Sequence, residues 1–119
     1  MKNIVITGNP ISVNALYQGR RFLTSKGKSL KLDYAWQVKT QWKSKPLDTR
    51  LKMTITAYFG SKRIRDLDNI GKIVLDAFTG IVYEDDGQID ELTFIRKYSK
   101  ENPRVEIQLK TLHENNNKL

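Results

Sequence analysis

The chain has 119 residues, with 21 Lys and Arg against 13 Asp and Glu, which gives a formal net charge of +8 at pH 7. This length fits one domain, and 39% hydrophobic residues is enough to build a core, which argues against a disordered chain. The absence of cysteine excludes a disulfide partner and thiolate metal sites, and a single histidine, His113, excludes histidine-rich zinc centres.

No stretch of the sequence approaches the ~20 apolar residues that a membrane-spanning helix needs. Residues 1–6 form too short an apolar run for a secretory signal. We therefore expect a cytoplasmic protein with no membrane partner. The excess of positive charge favours a polyanionic partner such as nucleic acid, although charge alone does not identify one.

The first half of the chain is predicted to form two strands and a helix. Residues 2–7 carry a short apolar run that is typical of a strand, and residues 10–28 are polar and basic, which indicates a loop. Apolar residues then recur every three to four positions over 29–45, which predicts a helix. Strict alternation over 51–59 predicts a half-buried strand.

The second half predicts a helix over 66–79 and strands over 88–99 and 105–109. The order β-α-β-α-β-β indicates a single α+β domain over 1–110, with a four-stranded mixed sheet and two helices on one face. The strands on either side of the second helix should be parallel, and the last two strands antiparallel. Residues 111–119 are expected to form a frayed polar tail.

Acidic residues are concentrated in one part of this basic chain, since eight of the thirteen lie between Asp66 and Glu91. Phosphates repel carboxylates, so a DNA-binding surface would not gather acids without a compensating charge. A divalent cation supplies that charge by bridging carboxylate and phosphate. Asp66 and Asp68 fall at the start of the second helix, and the turn that follows the helix could carry Asp85 or Asp86 back towards them.

The same residues also have purely structural interpretations, and their spacing does not decide between the two. Asp66 could cap the helix, Asp68 and Asp76 could pair with Lys72, and residues 84–87 could form a plain polar turn. On that interpretation the chain is a non-catalytic basic DNA-binding module. An RNA-binding protein is the least favoured class, because no aromatic RNA-recognition motif is present.

The order and spacing of these segments resemble the RusA family of Holliday junction resolvases over residues 4–110. The resemblance is carried by residues 65–72 (RDLDNIGK), 76–80 (DAFTG), 85–89 (DDGQI) and 10–14 (PISVN). It implies a small homodimeric endonuclease that depends on Mg²⁺, with Mn²⁺ as a substitute. Such enzymes bind four-way junction DNA and make paired symmetric nicks in recombination and repair. Many members are encoded by phages or prophages.

The resemblance maps the catalytic, metal-binding carboxylates of the family onto Asp66, Asp68 and Asp86, and its essential lysine onto Lys72. Gly71 and Gly87 are small where other members carry larger residues. A metal nuclease that acts on other branched or single-stranded DNA is the alternative enzyme.

Around this centre we expect a supporting set of residues. Asp76 and Asp85 should either contact the metal ligands from outside or be structural, rather than bind the metal directly, and Gln88 either orients a ligand or begins the next strand. Candidate phosphate contacts are the basic residues near the acidic segments, namely Arg20, Arg21, Lys26, Lys28, Lys62, Arg63 and Arg65.

A four-way junction has two-fold symmetry, so a C2 homodimer would supply two centres at a fixed separation. Its interface should use apolar residues that the core does not need. Trp36, Tyr83 and Phe94 are the candidates.

Overall fold

A four-stranded mixed sheet with two helices forms the fold, which confirms the predicted class. The computed structural model describes residues 2–8, 17–18, 22–23, 25–62 and 67–112, of which 2, 17–18, 22–23, 26 and 67–69 are described by their backbone alone. The elements are β1 (Lys2–Thr7), β2 (Tyr17–Gln18), β3 (Phe22–Leu23), α1 (Ser25–Gln41), β4 (Leu51–Phe59), α2 (Leu67–Phe78), a 3-10 helix (Asp86–Gln88), β5 (Ile89–Tyr98) and β6 (Arg104–Thr111).

The strand order in the sheet is β1-β6-β4-β5. As predicted, β5 is parallel to β4 and α2 forms the connection between them, while β6 is antiparallel to both β1 and β4. The last two strands run in opposite directions, as expected, but β4 lies between them. Residues 99–103 therefore cross the end of β4, a span of two inter-strand spacings or ~10 Å.

The segment predicted as a loop over 10–28 contains regular structure. Tyr17 pairs with Leu23 and Gln18 with Phe22, which makes β2 and β3 a small antiparallel sheet. Helix α1 begins at Ser25 rather than at residue 29. Its first turn has low helix propensity, but Gly27 is buried there, and tertiary packing outweighs propensity.

Helix α1 also ends earlier than predicted, at Gln41 rather than at residue 45. The Trp42 backbone N–H donates to the Val38 carbonyl at 2.9 Å, and the indole Nε1 donates to the Lys45 carbonyl at 3.3 Å. The first is the last bond of the helix and the second holds the chain that follows it, before Pro46, whose ring disfavours helical conformation in the preceding residue.

The core lies between the helices and one face of the sheet. Alternate residues of β4 are buried, as its sequence pattern predicts, and their neighbours on β1 and β6 are buried on the same face. The fully or nearly fully buried apolar residues of the strands are Ile4, Ile6, Leu51, Met53, Ile55, Ala57, Phe59, Val105, Ile107 and Leu109, and those of the helices are Tyr34, Val38, Ile70, Ile73, Val74, Ala77 and Phe78.

Strand β6 runs to Thr111, and the N–H of Leu112 donates to the Arg50 carbonyl at 2.9 Å. The rest of the predicted tail, residues 113–119, lies outside the described residues, as does His113. In the described part of the chain, neither helix is long and apolar enough to cross a membrane.

Two glutamines of α1 cover the free edge of β1. The Gln41 carboxamide accepts from the Val5 N–H at 3.0 Å and donates to the Val5 carbonyl at 2.7 Å. Gln37 does the same for Thr7, at 2.8 and 3.3 Å. One helical turn rises ~6 Å, which is close to the ~6.7 Å between alternate strand residues. The two side chains therefore replace a neighbouring strand. They bond the backbone N–H and carbonyl groups at the β1 edge and so block pairing with another chain.

Replacing Gln41 by Leu removes both bonds to Val5 and should lower the free energy of unfolding by about 1–2 kcal/mol. Urea denaturation measures this loss. Gln108→Leu is the matched control, because Gln108 is exposed on β6 and makes no side-chain hydrogen bond to the described residues. An equal loss in both variants would contradict the edge-covering role of Gln41.

Gly71 of α2 packs directly against the ring of Phe94 on β5. A β-carbon at position 71 would lie 2.5 Å from Cζ and 2.6 Å from Cε1 of that ring. The small residue at 71 is therefore matched to a large one at 94. Tyr83 is fully buried, so it is not available as the interface residue that the sequence suggested, whereas Phe94 is only partly buried against the core.

Gly71→Ala should destabilise the protein by about 1 kcal/mol, because overpacking against Phe94 outweighs the gain in helix propensity. In a Phe94→Ala background the same substitution should be stabilising by up to about 1 kcal/mol, since the clash is gone. A double-mutant cycle of thermal unfolding gives both values. If Gly71→Ala changes the free energy of unfolding with the same sign in both backgrounds, the Phe94 ring is not the reason that position 71 requires glycine.

Candidate metal centre and nucleic-acid interface

The start of α2 carries the first part of the predicted site. Asp68 lies in the first turn of α2, and its side chain is outside the described residues, as is the whole of Asp66. Because α2 follows β4 in the chain, this turn lies at the carboxyl end of β4, near Phe59. Unpaired N–H groups and the helix dipole favour an anion at such a helix start.

Lys72 follows Asp68 by one helical turn and is exposed on the surface of α2. Asp76 is one turn further along, and its carboxylate lies 3.7 Å from the Lys31 ammonium of α1. Both side chains of this ion pair are about half exposed, so it contributes little to stability. The pair links the two helices, which gives Asp76 a structural contact.

The second acidic segment is built around Gln88. Its Oε1 accepts from the N–H groups of Glu84 and Asp85, each at 2.9 Å. Its Nε2 donates to the carbonyls of Leu47 at 2.9 Å and Thr49 at 3.0 Å. One carboxamide therefore ties the acidic turn to the segment that precedes β4.

Asp85 caps the 3-10 helix, where its carboxylate accepts from the Gly87 N–H at 2.8 Å and Gln88 completes a capping box. Asp90 is engaged by Arg50, which also donates to the Gly87 carbonyl at 2.9 Å. The hydrogen bond from Arg50 holds the pKa of Asp90 below its usual range. The carboxylates of Asp85 and Asp90 therefore stabilise the turn.

Asp86 is different from its neighbours. It lies in the first turn of the 3-10 helix, it is exposed, and its carboxylate has no hydrogen bond or ion pair with the described part of the chain. Its backbone is held between the Asp85 cap and Gln88. A carboxylate on a rigid turn without an internal partner is suited to an external ligand.

Tyr83 anchors this turn at the carboxyl end of α2. Its hydroxyl donates to the Leu75 carbonyl at 3.1 Å, and its ring packs against Phe78 with centroids 6.2 Å apart. Burial raises the pKa of Tyr83, so the hydroxyl keeps its proton and its bond. The Val82 carbonyl accepts from the Leu47 N–H at 2.7 Å, which fixes the turn beside the amino end of β4.

Within one molecule, Asp68 and Asp86 lie at opposite ends of helix α2. Along α2, Asp68 is ~15 Å from Phe78, and Asp86 comes after that helix end. The position of strand β5 leads to the same separation. Gly71, near the start of α2, packs on Phe94, and Phe94 is ~17 Å along the strand from Ile89, which follows the Asp86 turn. A metal ion holds its ligands at ~2 Å, so the turn does not bring Asp86 back to Asp68 within one chain.

Among the described residues, no group of three or more acidic or histidine side chains could hold a metal ion. Asp66 and the side chain of Asp68, two of the three predicted ligands, lie outside the described residues.

A basic surface lies at the carboxyl ends of β4 and β5, the same end as the start of α2. The Lys62 ammonium is 5.4 Å from the centroid of the Tyr98 ring, and a shallow cavity there is lined by Phe59, Ser61, Lys62, Arg96, Lys97 and Tyr98. Arg96 and Lys97 were not among the predicted contacts. Only the parallel pairing of β4 with β5 places them beside Lys62.

The other predicted phosphate contacts are distributed differently. Lys28 is exposed on α1. Arg20, Arg21, Arg63 and Arg65 lie outside the described residues, as does the side chain of Lys26.

Comparison with known proteins identifies the family. A search of curated proteins returns no match. A family model described as endodeoxyribonuclease RusA matches residues 3–110, which run from β1 to β6 and include both acidic segments. The chain therefore belongs to the RusA endodeoxyribonuclease family, whose members are Holliday junction endonucleases.

Proposed function

We propose that this protein resolves four-way DNA junctions as a homodimer, cutting two opposed strands with a divalent cation held by Asp66, Asp68 and Asp86. The observation that supports this best is the state of the acidic turn. Asp85 and Asp90 make contacts within the fold, whereas Asp86, onto which the sequence resemblance maps a family ligand, is exposed and has no partner in the described chain.

The donor chemistry fits a hard divalent cation. Carboxylate oxygens are the ligands that Mg²⁺ and Mn²⁺ prefer, and the sequence offers no cysteine to favour a softer metal. RusA-like resolvases are generally dependent on a divalent metal. When bound, such an ion neutralises carboxylate and phosphate charge and activates water for attack on the phosphodiester.

The separation of Asp68 from Asp86 supports a dimer in which the site is shared. Neither acid can reach the ion of the other within one chain, so Asp86 would come from the second copy. A two-fold axis that places the acidic turn of one copy beside the α2 start of its partner creates two equivalent sites. Two sites related by two-fold symmetry suit two opposed strands of a junction.

The protein side chains around the site then have separate roles. Lys72 stabilises negative charge that develops on the phosphate. Lys62, Arg96 and Lys97, at the same end of the sheet, hold neighbouring backbone phosphates and set the position of the strand.

Asp68→Asn should lower the nicking rate more than about 100-fold, because loss of a metal ligand costs at least as much as loss of an outer partner. Junction affinity should stay the same or rise, since a negative charge is removed. Asp48→Asn, at another exposed acid, is the control and should cut normally. Gel assays on four-way junctions, flaps and single strands measure both quantities, and unchanged nicking by Asp68→Asn would leave only a DNA-binding module.

Mixing two inactive variants tests the shared site. If Asp68 and Asp86 of different copies form one site, an Asp68→Asn and Asp86→Asn heterodimer has one site with both changes and one intact site. After subunit exchange, an equal mixture should recover about a quarter of the parental nicking capacity, as single rather than paired nicks. A mixture that stays as inactive as each variant alone would place the whole site within one chain.

A further inference from the structure

The outward side of α1 carries two large apolar side chains that the core does not use. Leu32 is 72% exposed and Trp36 is 66% exposed, and they are neighbours because they lie one helical turn apart. The other large apolar side chains of this helix face the core, since Tyr34 and Val38 are buried and Leu30 is partly buried. Of the two tryptophans in the chain, Trp42 is 8% exposed, so Trp36 alone is presented to solvent.

Lysines flank this apolar pair. Lys28 lies one turn before Leu32, Lys39 lies three residues after Trp36, and Lys43 follows the helix end; all three are exposed. The ion pairs among the described residues do not include them. The single acid of α1, Asp33, accepts from Gln37 Nε2 at 2.9 Å, and Gln37 in turn lies on the β1 edge. We call Lys28, Leu32, Trp36, Lys39 and Lys43 the α1 outer face.

The α1 outer face approaches the end of the molecule that holds Asp86. After Lys43 the chain reaches Leu47, whose N–H donates to Val82 and whose carbonyl accepts from Gln88. The carboxyl end of the α1 outer face therefore leads into the segment that is bonded to the Asp86 turn.

Charge decides between the two occupants that could cover this surface. A two-fold contact with a second copy would press the lysines of one face against the same lysines of the other, which is unfavourable. A nucleic-acid strand would neutralise them with phosphates and offer bases to the indole ring. Proteins that bind single-stranded nucleic acid combine these two groups, because lysines contact the phosphates and an aromatic ring stacks on a base.

We propose that the α1 outer face is a second DNA-contact surface, on which Trp36 stacks against an unpaired base while Lys28, Lys39 and Lys43 contact phosphates. This inference rests on the proposed junction-cutting function, where the crossover supplies bases that are not fully stacked.

The test measures junction binding and nicking by Trp36→Ala, Trp36→Phe and the Lys39→Ala/Lys43→Ala pair, with Lys110→Ala as the control at an exposed lysine on β6. Trp36→Ala should weaken junction binding about tenfold, and Trp36→Phe should restore most of it because a ring remains. The lysine pair should reduce the salt slope of binding by about 1.5, and Lys110→Ala should not change it. Single-stranded DNA should quench the tryptophan fluorescence of the parent protein but not that of Trp36→Phe, which retains only Trp42.

The outcomes separate this inference from the proposed function. If the parent nicks junctions and Trp36→Ala binds them equally well, the α1 outer face is not a DNA contact, although the nuclease stands. If Trp36→Ala sediments as a monomer while the parent is a dimer, the surface is a subunit interface and the inference is overturned. If single-stranded DNA quenches Trp36 and the variants weaken binding, but no junction is nicked, the contact stands and the nuclease does not.

Discussion

The parallel pairing of β4 with β5 is the constraint on which the rest of this structure depends. Parallel strands cannot be joined by a tight turn, so α2 must travel the length of the sheet between them. That crossover puts the first acidic segment at one end of the molecule and the second at the other. In the proposed dimer, a centre that uses both segments would draw them from different chains.

Several acids of the acidic region make contacts within the described part of the chain. Asp85 caps a 3-10 helix, Asp90 binds Arg50, and Asp76 pairs with Lys31. Gln88 contributes no charge, yet its four hydrogen bonds fix the turn that carries Asp86. A rigid backbone beneath Asp86, whose carboxylate has no partner among the described residues, limits the reorganisation needed when a ligand arrives.

Helix α1 serves three surfaces at once, which explains why its pattern is less regular than that of α2. One side enters the core through Tyr34 and Val38. A second side carries the glutamines that cover the β1 edge. The third side presents Trp36 to solvent among lysines. An ordinary amphipathic helix has one apolar face and one polar face. Helix α1 has three faces with different contacts, so its sequence lacks a clear apolar stripe.

The sequence by itself determined the fold class, the alternation of β4 and the identity of the acidic segments, because these depend on local periodicity and on spacing along the chain. It did not determine that β4 separates β5 from β6, that Arg96 and Lys97 join Lys62, or that Asp68 and Asp86 lie at opposite ends. Those facts follow from which strands pair and in which direction. Pairing is decided by burial summed over the whole sheet, so only the tertiary structure could assign it.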